Sequence, residues 1–201
     1  MNVFIPKKYQ DRLVLASNSP RRIDILTGLG FEFEIRPAGE EVERGVSHTD
    51  PFKLAEILAR KKCGAVAQAF PDSLVVAADT VVILDGEVLN KPAGDEQAKR
   101  YITRLSGRTH TVVTGLALEN RSDGITLAGS ERTDVTFREL SPREIEAYVA
   151  TGEGRDKAGA YAAQGLGSFL IRRIEGCFYN VVGLPVALLF DMLKKIEEGK
   201  T

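Results

Sequence analysis

A chain of 201 residues in which 43% are hydrophobic can bury one sizeable core or two smaller ones. Lys and Arg number 27 against 28 Asp and Glu, a net charge of -1 that argues against a broad nucleic-acid or membrane footprint. No nucleic acid polymer is therefore expected as a partner, and any polyanion recognised here is small and locally held. Cys63 and Cys177 are far apart and lack metal-ligand spacing, which fits free thiols in a reducing compartment. Met1 to Asp11 contains no long apolar region and no later segment is long and apolar enough to span a bilayer, so no membrane association and a cytoplasmic location are expected.

In chain order, Leu13 to Ala16 is a short apolar run of the kind a buried strand uses. Ser19 suits an N-cap and Pro20 a first helical position, followed by a short helix with Ile23 and Leu26 on its apolar side and a stop at Gly28 to Gly30. Phe31 to Arg36 alternates apolar and polar residues as a half-buried strand does, and Thr49-Asp50-Pro51 opens a helix that runs to about Ala69. Ser73 to Ala78 is apolar on both faces and predicts a central strand. Val81 to Leu84 and Glu87 to Leu89 flank Asp85-Gly86, a two-residue hairpin signal. Asp95 predicts the cap of a helix with Ala98, Ile102 and Leu105 on one face. Two long strands, Thr111 to Leu118 and Ile125 to Phe137, meet at Ser122-Asp123-Gly124. Ser141-Pro142-Arg143-Glu144 is a capping box, Phe169 to Arg172 a strand, and a last helix runs from near Pro185 to Glu198. The class is α/β, with a mixed curved sheet flanked by helices.

Three clusters carry chemistry. The first is Ser17 to Arg22, where a strand turns into a helix N-terminus that offers free N–H groups and the positive end of the dipole, with the guanidinium forks of Arg21 and Arg22 beside it. Phosphate oxygens suit that arrangement; a capped helix with two solvated arginines is the plainer alternative. The second runs from Ala77 to Pro92. Asp79 is read as ending the most buried strand, at the carboxyl edge where α/β proteins place ligands, and Lys91 returns at the end of the hairpin that follows. A carboxylate for a divalent ion beside a lysine for phosphate oxygens suits phosphoryl chemistry, while a turn-forming Asp and a surface Lys account for the same letters. The third is Arg155 to Gly167, whose glycines permit close backbone approach to a ligand and whose Gln164 amide offers donor and acceptor together to a nucleobase edge. A tight loop before a strand is the alternative there. His48 and His110 lie in unremarkable polar settings, and no Ser/His/Asp or Cys/His arrangement indicates a covalent intermediate.

In this order, Ser17 with Ser19 to Arg22, Ala78 to Val82, Asn90-Lys91-Pro92, Ser106 to His110, Asp156 to Tyr161 with Gln164 and Gly165, and Val181 to Pro185 resemble the Maf family of nucleoside triphosphate pyrophosphatases over nearly the whole chain. The resemblance implies a single Maf-like domain over residues 1–201, with two lobes, a cleft between them and a fold related to inosine-triphosphate pyrophosphatases. Its members are often dimers, which leaves a homodimer open. It places the catalytic proton acceptor at Asp79 and the positions that separate substrate classes at Arg21, Thr80 and Gln164, a pattern similar to the branch acting on dTTP and UTP. It places phosphate-site residues at Ser17, Arg22, Lys62 and Lys91. The family's further acidic residue falls at Glu43 if one residue is inserted after Phe33, or at Glu41 without that insertion.

The implied reaction is attack of water on the triphosphate between the α and β phosphorus atoms, giving a nucleoside monophosphate and pyrophosphate. Mg²⁺ or Mn²⁺ held by Asp79 and Glu43 would assist while Lys and Arg neutralise the leaving group. Asp79 can accept a proton or ligate the ion, and both roles remain open. A pyrophosphatase for modified or non-canonical nucleotides is the enzymatic alternative. A nucleotide-binding regulator of cell division without turnover is the other, because the family is associated with inhibition of septum formation.

Overall fold

In the computed structural model, which describes residues 4–200, thirteen helices and strands of regular structure follow the sequence closely. They are β1 (Leu13–Leu15), α1 (Pro20–Gly28), β2 (Glu34–Ile35), α2 (Pro51–Ala69), β3 (Leu74–Leu84), β4 (Glu87–Leu89), α3 (Asp95–Leu105), β5 (Thr109–Asn120), β6 (Ile125–Phe137), α4 (Pro142–Ala150), β7 (Ile171–Glu175), α5 (Phe178–Val182) and α6 (Val186–Glu197). The strands form a mixed seven-stranded sheet in the order β2-β1-β3-β5-β6-β7, with β4 paired to β3. β1 runs parallel to both β2 and β3, whereas β4 on β3 and β7 on β6 are antiparallel. The α/β class with a mixed sheet is thus observed.

The chain divides into two compact units, and β3, β5 and β6 contribute residues to both. The first unit comprises residues up to Asp79, Thr114–Glu131 and the chain from Gly183 onward. Its core joins α2 to the sheet through Ala59, Cys63, Val66 and Ala67 against Val14, Ala16, Val75, Ala77 and Ala117. The helix lies very close to β5, because Gly115 has no side chain: a β-carbon there would stand 2.2 Å from the carbonyl oxygen of Ala55. The second unit comprises Thr80–Val113 and Arg132–Val182. Its core gathers Leu89, Ala98, Ile102, Leu105, Phe137, Ile145, Tyr148 and Tyr161.

Local signals with local partners hold. Asp85 and Gly86 both have positive φ, 54° and 79°, as a two-residue hairpin turn requires, and the register pairs Val82 with Leu89. Ser141 Oγ accepts the N–H of Glu144 while the Glu144 carboxylate accepts the N–H of Ser141, completing the capping box. Asp50 caps α2 through the N–H of Phe52 at 2.9 Å.

Three expectations are corrected, and one further element goes unread in the sequence. Phe31 to Arg36 yields only the two-residue β2, because the N–H of Phe31 is spent on the carbonyl of Leu26 in closing α1. Asp95 is the first residue of α3 and not its cap; Gly94 occupies that position, and the Asp95 carboxylate takes two hydrogen bonds from Arg155 at 2.8 and 2.7 Å. Residues 165–170 form a 3-10 helix, so the strand expected from Phe169 begins at Ile171. α5 is a helix that local periodicity does not announce. No helix among the described residues is long and apolar enough to cross a membrane.

Candidate active site

In the first unit, β3 brings Asp79 to a charged cluster. Val75 and Ala77 face the Cys63 side of α2, and strand alternation puts Asp79 next on that face. Cys63 anchors the helix there by donating its thiol hydrogen to the carbonyl of Val75 at 3.3 Å, and burial among apolar groups pushes that thiol's pKa up. Lys62, one residue earlier, then reaches Asp79: its Nζ lies 2.5 Å from Asp79 Oδ1 and 2.7 Å from Glu43 Oε1. One ammonium therefore bridges two carboxylates contributed by different segments.

Asp79 does not end a strand. β3 continues without a break from Leu74 to Leu84, and Asp79 sits inside it at 9% exposure. A carboxylate in so buried a position is tolerated because Lys62 compensates its charge. The acidic residue that joins the cluster is Glu43, whose carboxylate contacts Lys62 from the turn at Glu40–Glu43.

The strand-to-helix turn after β1 supplies the second half of this cluster. Ser17, buried, accepts the N–H of Ser19 at 3.2 Å and the Arg22 Nη1–H at 3.2 Å, and Arg22 Nε–H donates to the carbonyl of Gly183 at 2.8 Å. Ser19 occupies the N-cap position of α1, but its hydroxyl makes no capping bond, since Ser17 organises this turn instead. Burial lowers the pKa of Arg22 and the negative charges of Asp79 and Glu43 oppose that shift, which shows Arg22 within their field. An arginine stays protonated under such a shift. Arg21 is half-buried beside it.

The remaining candidates belong to the second unit. Thr80 follows Asp79 in β3 and is half-buried. Lys91, exposed, follows β4, and the carbonyl of its neighbour Asn90 accepts the N–H of Gly159, so the Lys91 segment adjoins the start of the loop that carries Gln164. Gln164 is exposed and extended, with φ -102° and ψ 169°, just ahead of the 3-10 helix.

Two sequence readings change here. The glycines of the third cluster accommodate the protein's own atoms: a β-carbon would stand 3.0 Å from the Val82 side chain at Gly159, 2.1 Å from the Ala162 carbonyl at Gly167 and 2.1 Å from the Glu153 carboxylate at Gly165. His110 is not in a polar setting. It is 2% exposed, packs edge-on to Phe137 and Tyr161, and its Nε2 lies 2.8 Å from the Tyr161 hydroxyl. Burial pushes its pKa down to about 4. His48 is exposed, and its Nδ1 accepts the N–H of Asp50 at 3.0 Å. Both cysteines are free, as expected.

Among the described residues no group of three or more His, Cys, Asp and Glu side chains could hold a metal alone. Asp79 and Glu43 do offer two carboxylates on one ammonium, and a hard cation such as Mg²⁺ is commonly held by one or two carboxylates with substrate phosphates and water completing its oxygen shell. The donor set fits such an ion bound together with a phosphorylated substrate.

Comparison with known proteins covers the same span. Residues 12–196 match the family model described as Maf-like protein. A protein of Pelotomaculum thermopropionicum named dTTP/UTP pyrophosphatase is 48% identical over 183 residues, which cover 91% of this chain and 95% of its own. One of the same name from Moorella thermoacetica is 49% identical, covering 90% of this chain and 93% of its own. The solved structure of the Staphylococcus aureus Ham1 protein aligns with a TM-score of 0.44 and 18% identity over 62% of this chain and 71% of that one.

Proposed function

Since this chain belongs to the Maf-like protein family, we propose that it is a nucleoside triphosphate pyrophosphatase acting on dTTP and UTP. Water attacks the triphosphate, the bond between the α phosphorus and the bridging oxygen breaks, and a nucleoside monophosphate and pyrophosphate leave. The observation that carries this reading is the Asp79–Lys62–Glu43 bridge with Arg22 in its field, a paired set of carboxylates and cations on a buried strand. The names of the relatives support the substrate class.

Asp79 is the proton acceptor for the attacking water, and its fixed place inside β3 keeps the accepting oxygen from moving with a loop. Lys62 and Arg22 supply positive charge to phosphate oxygens, and the bond that Arg22 donates to Ser17 holds the guanidinium plane. Lys91 is a further phosphate-binding cation, as the family resemblance implies. Asp79 and Glu43 would hold a divalent Mg²⁺ or Mn²⁺ ion, which when bound supplies charge neutralisation and a more acidic water. Gln164 reads the base, with Arg21 and Thr80 contributing to substrate choice. Thymine and uracil share an O4 acceptor and an N3–H donor, so one amide serves both.

The test is pyrophosphate release by the purified protein from dTTP, UTP, CTP, GTP and ATP in the presence of Mg²⁺ or Mn²⁺. Turnover of dTTP and UTP above the other three is expected. Binding of dTTP without pyrophosphate release from any of the five would refute the enzymatic reading, and equal rates on all five would refute the substrate assignment alone.

A further inference from the structure

Gln164 stands at the N-cap position of the 3-10 helix over residues 165–170, and its own side chain makes no capping bond. Glutamine is not among the side chains that ordinarily cap a helix, so the first N–H groups need another acceptor. Here those groups are taken by another residue. Glu153 Oε1 accepts the N–H of Leu166 at 3.0 Å, and Oε2 accepts the N–H of Gly167 at 2.7 Å. Gly165, at φ +68° and without a β-carbon, is what lets that carboxylate come so near the chain.

The other side of Gln164 is held by a second residue. The buried Tyr148, on α4, accepts the N–H of Ala162 at 3.1 Å. Backbone two residues before Gln164 is therefore tied to Tyr148, and backbone two and three residues after it to Glu153. Glu153 is fixed in turn, since its N–H donates to Thr151 Oγ1 at 3.2 Å and its carbonyl accepts from Lys157 Nζ at 2.6 Å.

We infer that Tyr148 and Glu153 are positioning residues for base recognition: they clamp the backbone on both flanks of Gln164, so that its side chain leaves the chain at one fixed place. The inference rests on the reading of Gln164 as the base-reading residue. A glutamine side chain set at one place along the base edge meets the O4 acceptor and N3–H donor of uracil together, whereas a displaced one loses that match.

Two backbone donors converge on the two Glu153 oxygens, one on each, so an amide nitrogen in place of one oxygen turns a donor toward a donor and opens the clamp. The experiment measures kcat/KM for UTP and CTP, and pyrophosphate inhibition, in wild type, Glu153→Gln, Tyr148→Phe, Gln164→Ala and the Glu153→Gln/Gln164→Ala double variant. Amide hydrogen exchange at Leu166 and Gly167 is followed in parallel. We expect Glu153→Gln to accelerate exchange at both amides, to lower the UTP-to-CTP ratio about tenfold and to leave pyrophosphate inhibition unchanged. In the Gln164→Ala background the same change should leave the ratio where Gln164→Ala put it. Tyr148→Phe keeps the ring packing and should shift the ratio in the same direction, which carries the test if Glu153→Gln does not fold. A purely structural role would lower turnover of both nucleotides by one factor and leave their ratio unchanged; that result overturns the clamp. A shifted ratio in Gln164→Ala with none in Glu153→Gln or Tyr148→Phe overturns the clamp alone. An unshifted ratio in Gln164→Ala overturns the base-reading role, and the clamp's function with it.

Discussion

Replacing Lys62 separates what the charged cluster does for stability from what it does for chemistry. Lys62 and Asp79 are each 13% exposed at the side chain, so Lys62→Met leaves a carboxylate inside β3 without its nearest counter-ion. Breaking a buried pair by removing one partner costs about 3–5 kcal/mol. The low end applies here, because Glu43 is 46% exposed and solvated, and Arg22 still acts on Asp79. A loss of about 3 kcal/mol in a chain of this size lowers Tm by roughly 6–12 °C. Adding Asp79→Asn removes the uncompensated charge and should return most of that Tm. Pyrophosphate release should stay absent in both variants, because asparagine accepts no proton and methionine carries no charge to the phosphates. Thermal unfolding at pH 7 followed by circular dichroism, beside a pyrophosphate assay, measures both halves. A Lys62→Met protein melting within about 2 °C of wild type, or a double variant melting no higher than the single one, would refute the reasoning.

The other predictions test separate parts of the molecule. Asp79→Asn alone should keep its fold by circular dichroism and lose roughly 10²-fold or more in kcat, and near-normal turnover would remove Asp79 from the mechanism. Gly115→Ala should destabilise by about 3 kcal/mol in urea titration, since the new β-carbon meets the backbone of Ala55 and pushes α2 from the sheet; a wild-type midpoint would contradict that packing. Gln164→Glu should lower kcat/KM for dTTP and UTP while pyrophosphate inhibition stays constant, and a parallel loss in both would move Gln164 from the base to the phosphates. His110 is buried neutral, with its pKa at about 4 against 6.5 unfolded, so the unfolded chain binds the extra proton between those values. The resulting stability is complete above pH 6.5 and falls away toward pH 4, by about 3 kcal/mol in all. Urea midpoints of wild type and His110→Asn between pH 7 and 4.5 should therefore converge or cross as pH falls, and parallel curves would argue against a neutral buried His110.

What could be read from the sequence divides by where each residue finds its partner. The Asp85-Gly86 turn and the Ser141–Glu144 capping box close within four residues, and both appear where the letters place them. Asp79 looked like a strand terminus because a carboxylate disrupts an apolar run; its compensation comes from Lys62, 17 residues earlier and on a helix. The clustering of Ser17 with Arg22 followed from the strand-to-helix turn, whereas the contact of Glu43 with Lys62 joins a turn to a helix that no local pattern brings together. Glu153 reads as a surface charge in a glycine-rich turn, and its bonds lie 13 and 14 residues downstream. Gly115 reads as one small residue in a long strand; the helix backbone that requires it is 60 residues away in sequence. Cysteine and histidine show the same divide. The spacing of Cys63 and Cys177 was enough to expect free thiols, but the burial of His110 depends on Phe137 and Tyr161, which no local pattern brings together.

The charge count of the first-unit cluster bears on why an added cation suits this chemistry. Asp79 and Glu43 carry two negative charges and Lys62 and Arg22 two positive ones; Lys62 contacts both carboxylates, and Arg22 lies within their field. That balance makes a buried carboxylate tolerable in β3, since an uncompensated ion there would carry a large desolvation cost. It also means that Lys62 cannot turn wholly toward phosphate oxygens without leaving Asp79 and Glu43 facing the same polyanion. A triphosphate brings several negative charges, and Arg21 adds only one positive charge beside Arg22. Asp79 and Glu43, hard oxygen donors, would hold a divalent ion, which would supply positive charge against that deficit. On this reading Lys62 has two partners in succession, the carboxylates in the free protein and the phosphates in the complex, and the loss of turnover in Lys62→Met has a cause independent of its loss in Tm.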